Sequence, residues 1–377
     1  MAIIYSIGCA CVYEIRTVTV HYGKTNFPDI YYFKKEIEGF LSKIEEAIDD
    51  YKNSYNIKPT YLRISFPNPI FYDEIEEETK QLEEFTDRFA INLGQISSDY
   101  DKLEDIIKEI ASDGMYASIL LERSDWETAI KISKALHSLV LSYPVYGTNI
   151  GINTLNKKYF VTPYYPLASA IPGKISVSTA LTYPNYLRDS FIKNGFNGLK
   201  DAIYQAGKVA EDLGNYVANH LNIGYEGVDL SVSPWMEESS LGLVEMVSST
   251  RMPKPGFANG LRKVNESIIE VSEKIKTTGF NEVMLPVAED SKLKARVSEG
   301  EVKARDLVMY SGVCLAGLDL AVVPSDINGV AGLILDTSAY ARTKNRVLGV
   351  RIIPVDSVDP GDKIDLGKFG ETPVIGI

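Results

Sequence analysis

Apolar residues at helical spacing alternate with short β-prone runs along nearly the whole chain, and this alternation restricts the fold more than any other feature. Such repetition is buried most simply in an α/β architecture, with helices covering a largely parallel sheet. Strands are predicted over 3–8, 15–22, 60–66, 115–121, 225–232, 282–286, 318–324 and 347–355. Helices are predicted over 30–51, 72–91, 99–112, 198–222, 261–278, 291–299, 303–317 and 328–345. Another helix follows the strand at 115–121, where Ser124 and Glu127 have capping-box spacing. In the first helix Ile37, Phe40, Leu41, Ile44 and Ile48 share one face, while the acids of 72–91 and 99–112 read as a solvated side. The section 143–181 breaks the rhythm with Pro144, Gly147, Gly151, Pro163, Pro166, Pro172 and Gly173, and reads as short strands carrying long, shaped loops. No Gly/Ser/Pro-rich linker and no charge block marks a boundary, so residues 1–377 read as a single α/β domain.

Composition excludes several classes. A chain of 377 residues, 45% hydrophobic and 24% charged, can bury a large core. The net charge of -12, with basic residues scattered among acids, argues against nucleic acid and against an anionic membrane surface. The apolar run at 3–11 lacks a basic leader and a cleavage site and reads as a buried strand. No window reaches the roughly 18 apolar residues of a membrane span. The three cysteines are too few for a disulfide framework. A cytoplasmic protein with a small-molecule ligand follows, and a homo-oligomer is expected. Scarce Gln, His and Cys beside abundant Ile, Lys, Glu and Tyr is a heat-adapted bias. P-loop, dinucleotide-binding and nucleophile-elbow motifs are absent, and His21, His137 and His220 fall singly on unrelated elements, as structural histidines do.

Residues 281–326 gather polar and reactive groups at the junctions of predicted strands and helices, which is where α/β folds build sites. Asp229, Glu289, Asp290, Asp319 and Asp326 all fall at or just past strand ends. They are candidates to bind the polar head of a metabolite or a divalent cation, the cation through Asp229, Asp290 and Asp319. Asp290 and Asp326 each precede a helix and read equally as N-caps. Arg16, within a β-branched strand, and Arg351, between Val350 and Ile352, are of the kind that pairs with a buried acid or clamps a ligand carboxylate or phosphate. Cys314 is either a small buried apolar residue or a thiol of the site, with Arg16 or Arg351 as the neighbour that would activate it. Cys9 and Cys11 would share a strand face, with ordinary packing favoured over a soft metal. Trp235 and Met236, next to Glu237 and Glu238, could give a pocket an apolar wall and a polar rim, and the basic loop 251–260 reads as a lid or an exposed connection.

Several of these segments carry a resemblance. Residues 15–19 (IRTVT), 227–231 (GVDLS) with Pro234, 285–290 (LPVAED), 310–314 (YSGVC), 317–319 (GLD) and 349–355 (GVRIIPV) with Pro360-Gly361-Asp362 resemble the family called domain of unknown function 711. At 323–327 (VPSDI) the chain departs from the family's Pro-Gly-Asp-Thr, although Asp326 keeps the carboxylate. The resemblance implies a ten-stranded α/β barrel like that of pyruvate formate-lyase and other glycyl radical enzymes. The C-terminal residues 370–377 (GETPVIGI) lack the glycyl radical loop, so radical chemistry is not expected. Two functional classes remain. The first is an enzyme acting on a small anionic or polar metabolite, with Cys314, Asp229, Glu289 and Asp319 as catalytic candidates and Arg16, Arg351, Asp326, Trp235 and Glu238 around the substrate. The second is a non-catalytic ligand-binding or regulatory protein on the same fold.

Overall fold

Alternating β-branched residues make Val12–Tyr22 (VYEIRTVTVHY) a central strand whose side chains from Ile15 to Tyr22 are buried on both faces. The computed structural model describes residues 4–5, 12–313 and 315–377, so Cys9, Cys11 and Cys314 lie outside the described residues. The strands are β1 (Ile4–Tyr5), β2 (Val12–Tyr22), β3 (Tyr61–Ser65), β4 (Ala90–Ser97), β5 (Tyr116–Leu120), β6 (Ile150–Asn153), β7 (Ile175–Thr182), β8 (Gly224–Asp229), β9 (Gly317–Pro324), β10 (Gly349–Val355), β11 (Lys363–Asp365) and β12 (Glu371–Pro373). The helices are α1 (Ile30–Tyr55), α2 (Ile75–Glu83), α3 (Leu103–Ser112), α4 (Trp126–Ser142), α5 (Pro184–Leu221), α6 (Ser240–Ser248), α7 (Phe257–Ser272), α8 (Ser291–Ser298), α9 (Ala304–Ser311) and α10 (Ile327–Lys344).

The result is a mixed α/β fold built on one large, mostly parallel sheet in the order β8-β7-β2-β3-β4-β5-β6-β10-β9, with β1 added beside β2. Strands β2 to β6 run parallel, and antiparallel junctions join them to the β7–β8 pair on one side and to the β10–β9 pair on the other. The regular ladder does not close into the expected ten-stranded barrel. Between its edges there are single parallel bridges, Val232 to Val283 and Val283 to Leu315. The strand expected over 282–286 is reduced to that one bridging residue, because Leu285-Pro286 leaves no donor with which to extend it.

Two irregularities of register matter for the site. The β2–β7 ladder shifts between Ile15 and Thr17, and the β9–β10 ladder shifts between Val350 and Ile352. In the first the extra residue is Arg16 on β2, and an extra residue turns its side chain out of the strand's alternation. In the second it lies on β9, where Asp319 and Leu320 stand opposite Arg351 alone.

The connection from β6 to β7 is the irregular section read from the sequence, and the sheet wraps around it. Tyr165 donates its hydroxyl to Ala90 O (3.2 Å) and also to Ile64 O, Asn92 Nδ2 donates to Pro166 O (2.8 Å), and Thr19 Oγ1 donates to Pro163 O (3.3 Å). Pro166 sits where a side chain on Gly151 would go, and Leu167 covers Gly349. Contacts to β2, β3, β4, β6 and β10 place this segment inside the sheet's curve, while the main apolar core lies between the sheet and its helices.

Other expectations shift. The helix expected over 72–91 ends at Glu83, and Ala90–Ser97 is a strand missed in the sequence because Asn92, Gly94 and Gln95 interrupt its apolar alternation. The helix expected over 303–317 stops at Ser311. Helix α4 begins at Trp126 and is capped by Asp125, whose carboxylate accepts from Thr128 N at 2.8 Å, rather than by Ser124. Helix α5 starts well before the expected residue 198, with a break at Asn194 and Gly195. Helix α6 and the β11–β12 hairpin had no counterpart in the sequence reading. Among the described residues no helix is long and apolar enough to cross a membrane.

Candidate functional site: a cationic cavity inside the sheet

A cavity of about 110 Å³ lies between the β6–β7 connection, the inner face of the sheet and the segment 284–289. A single water needs roughly 10–15 Å³ on this measure, so the space suits a small molecule. Its cationic lining comes from Arg16 on β2, Arg63 on β3, Arg351 on β10 and Lys368 in the turn of the β11–β12 hairpin. Glu289 and Asp319 are its acids, and Tyr61, Tyr116, Tyr164, Tyr165, Trp235 and Phe369 supply aromatic walls.

Both arginines at the register shifts are held by an acid. Arg16 Nη2 donates to Glu289 Oε2 at 2.9 Å, and Nη1 donates to Ser233 Oγ (2.7 Å) and Pro234 O (2.9 Å). Burial opposes charge on both partners, but their attraction outweighs it, so Arg16 is raised and Glu289 is lowered from its ordinary range, with Arg351 assisting. Arg351 forks onto Asp319, Nε to Oδ1 at 2.6 Å and Nη2 to Oδ2 at 2.9 Å, while Nη1 donates to Thr148 O at 3.0 Å. Here too burial works against the guanidinium, and Asp319 holds it charged.

Arg63 differs. Its Nη1 donates to Pro163 O at 2.7 Å, its Nε is buried with no acceptor, and no carboxylate among the described residues pairs with it. Its guanidinium lies over Tyr165, 4.9 Å from the ring centre, and burial followed by repulsion from Arg16 lowers its affinity for the proton. Lys368 likewise has no carboxylate partner among the described residues. Its Nζ donates to the Tyr116 hydroxyl at 2.9 Å. The cavity thus carries more positive than negative charge, and two buried donors of its wall residues, Arg63 Nε and Arg16 Nε, have no acceptor among the described residues. Unsatisfied buried donors beside a surplus cation are the features that an anionic ligand would complete.

The remaining sequence candidates sit elsewhere. Asp229 is buried and spends both oxygens on Ser231 Oγ (2.6 Å), Ser231 N (3.0 Å), Phe280 N (2.7 Å) and Asn281 N (3.0 Å), which pins the turn that carries Phe280 into the cavity wall. Burial raises its pKa. Asp290 caps α8 and also accepts from Ser239 Oγ (2.7 Å) and Leu241 N (3.0 Å). Asp326 caps α10 through Gly329 N at 3.0 Å. Neither Asp229, Asp290 nor Asp326 lines the cavity. Among the described residues no three His, Cys, Asp or Glu side chains gather as a metal site, and the cation suggested for Asp229, Asp290 and Asp319 finds no shared centre. Glu238 accepts from Asn185 N at 2.9 Å in a neighbouring hollow that shares Arg16, Tyr61 and Trp235 with the cavity. Trp235 does form a wall, edge-on to Phe369 at 6.0 Å between ring centres. The loop 251–260 adds no residue to the lining, and Arg251 pairs instead with Glu301 at 2.9 Å and with Glu299.

Arg63, Tyr116, Tyr165 and Lys368 were missed in the sequence. Arg63, between Leu62 and Ile64, repeats the signal that marked Arg16 and Arg351. Nothing local marks Lys368, which reaches the cavity only through the C-terminal hairpin.

A model of the family described as Uncharacterised ACR (DUF711) matches residues 167–367, more than half of the chain. The chain belongs to this family. The DUF711 match takes in the β9–β10 arginine–aspartate fork, Glu289 and Trp235, while Arg16, Arg63 and Tyr116 precede it. Among curated relatives, a UPF0210 protein of Pyrobaculum arsenaticum is 30% identical over 196 residues, covering 50% of this chain and 44% of the relative. One from Methanopyrus kandleri is 28% identical over 198 residues, covering 51% of this chain and 44% of the relative. The chain thus matches somewhat under half the length of these relatives. One from Sulfurisphaera tokodaii aligns more fully, 24% identical over 375 residues, covering 88% of this chain and 82% of the relative.

Proposed function

We propose that this DUF711 protein binds a small anionic metabolite in the cavity and acts on it as an enzyme. Arg63 carries this reading, as a cation in the wall with a buried donor that the protein leaves unmatched. Arg16 and Arg351 add positive potential, and the aromatic side chains of the wall lower the local dielectric, which strengthens interaction with an anion. The single bridges of Val283 to Val232, just past β8, and to Leu315, just before β9, support reading the sheet as a ring of the pyruvate formate-lyase type around its β6–β7 connection, with the cavity inside it. Fold analogy alone assigns no chemistry. The pairing of both acids with arginines supports the second reading, a binding protein without turnover, because neither carboxylate is left free as a base.

A thermal-shift series of mono-, di- and tricarboxylates and inorganic phosphate, at matched ionic strength, tests the binding. At an anion concentration about 100 times Kd, stabilisation is about 2.7 kcal/mol. Arg63→Met is expected to abolish it. Equal, small shifts for every salt, unchanged in Arg63→Met, would remove the assignment.

A further inference from the structure

Tyr116 and Lys368 form a second constellation, which the argument from the arginines does not use. Tyr116 begins β5, and its hydroxyl accepts from Lys368 Nζ at 2.9 Å. Together with Tyr61 and Ala90, both residues line the cavity and also an outer hollow, so the pair stands where the cavity meets the surface. The groups facing the phenol are Lys368, Arg63 and Arg351, with the Tyr165 ring 5.3 Å away between centres. No carboxylate hydrogen-bonds to it among the described residues. Burial favours the neutral phenol, but Lys368 first, then Arg63 and Arg351, outweigh it and lower the Tyr116 pKa.

We propose that Tyr116, held by Lys368, is the acid–base residue of the cavity and exchanges a proton with the bound anion. The inference rests on the anion-binding reading above. It narrows the ligand class to a small carboxylate or phosphate ester with a dissociable O–H or C–H beside the anionic group. In the forward step Tyr116 acts as the tyrosinate: the ligand's O–H or C–H bond breaks, the proton forms the O–H bond of the neutral Tyr116 phenol, and the negative charge passes from the Tyr116 oxygen to the ligand. The bonding pair stays on the ligand, where Arg63 and Arg16 face the new negative charge, and the reverse step returns the proton. No redox partner is needed. Proximity of a positioned base to the anion clamp is what such a transfer requires.

The test uses the full chain and two probes, inorganic phosphate and malonate. Tyrosinate absorbance is followed against pH in the wild type, Tyr116→Phe and Lys368→Met, and probe affinity is measured over the same range. The wild type is expected to ionise one phenol ahead of the others, Tyr116→Phe to lack that step, and Lys368→Met, an exposed position that leaves folding intact, to move it to higher pH. Probe affinity should fall as this phenol ionises in the wild type, by about tenfold for 1.4 kcal/mol of repulsion, and stay flat in Tyr116→Phe. Identical tyrosinate and affinity profiles in all three proteins would overturn the proposal. An early phenol that Tyr116→Phe removes, in a wild type that binds neither probe, would instead sink the anion-binding reading and leave the Tyr116–Lys368 pair standing.

Discussion

The guanidinium of Arg63 lies over the ring of Tyr165, and the Tyr165 hydroxyl is bonded to the carbonyl of Ile64, the residue next to Arg63 on β3. The ring thus holds the cation by its face and the strand by its hydroxyl, fixing Arg63 in the cavity wall without neutralising it. Such a site keeps charge in place at some loss of stability. Arg63→Met is therefore expected to leave the ligand-free protein within about 1 kcal/mol of the wild type in urea unfolding, because a partly buried charge without a partner contributes little to folding. The same variant should lose anion-induced stabilisation altogether.

Arg16 and Glu289 are a different case, since each neutralises the other in a buried setting. Arg16→Met or Glu289→Gln alone should destabilise the protein by about 3–5 kcal/mol, because each leaves an uncompensated charge or its donors behind. The double variant should cost less than the sum of the two, which a double-mutant cycle by chemical denaturation would show.

Two buried groups set opposite pH slopes. His21, between Ser65 Oγ (2.9 Å) and Ser178 Oγ (2.7 Å), is pulled down to about 4 by burial. The unfolded chain takes up that proton near pH 6.5, so stability falls as pH drops from 6.5 to 4, by up to about 3 kcal/mol. Glu78, whose oxygens accept from Ile70 N and Phe71 N, is pushed up to about 7 by burial. The unfolded chain loses this proton first, so stability falls as pH rises from 4.5 to 7 and is flat above, again by up to about 3 kcal/mol. Between about pH 4.5 and 6.5 the two slopes offset each other, so urea midpoints should fall with rising pH more steeply than the wild type in His21→Asn and rise more steeply in Glu78→Gln.

Asp229 and Asp326, both site candidates in the sequence, should separate cleanly from the cavity residues. Asp229→Asn turns an amide toward Phe280 N and Asn281 N and is expected to lose about 2–4 kcal/mol. Asp326→Ala removes one helix cap and should cost about 1 kcal/mol. Anion affinity of Asp326→Ala should equal that of the wild type, read by the same thermal-shift series.

The parts of this architecture that were legible in the sequence are those in which one residue pattern meets one environment. Helices α1 and α10 and strands β9 and β10 lie close to where their periods place them, because each buries a continuous apolar set. Strand β4 was hidden because Asn92 and Gly94 serve the buried connection rather than the strand's own alternation: Asn92 bonds Pro166 O, and Gly94 takes a φ of 82° under Phe66 and Pro67. For the site, lone arginines in β-branched strands were informative, since Arg16 and Arg351 both reach the cavity. Position at a strand end discriminated less: Glu289 and Asp319 reach the cavity, whereas Asp229, Asp290 and Asp326 occupy such ends to satisfy backbone donors. Which of these uses an acid serves is decided by where the chain returns in space, and no local pattern records that.

Residues of the segment 160–170 both line the cavity and brace the strands that curve around it. A shift in chemical preference introduced there would be inseparable from a shift in foldability. The freer ground for new selectivity is the rim, where Tyr61 and Lys368 reach solvent and can change without disturbing the sheet.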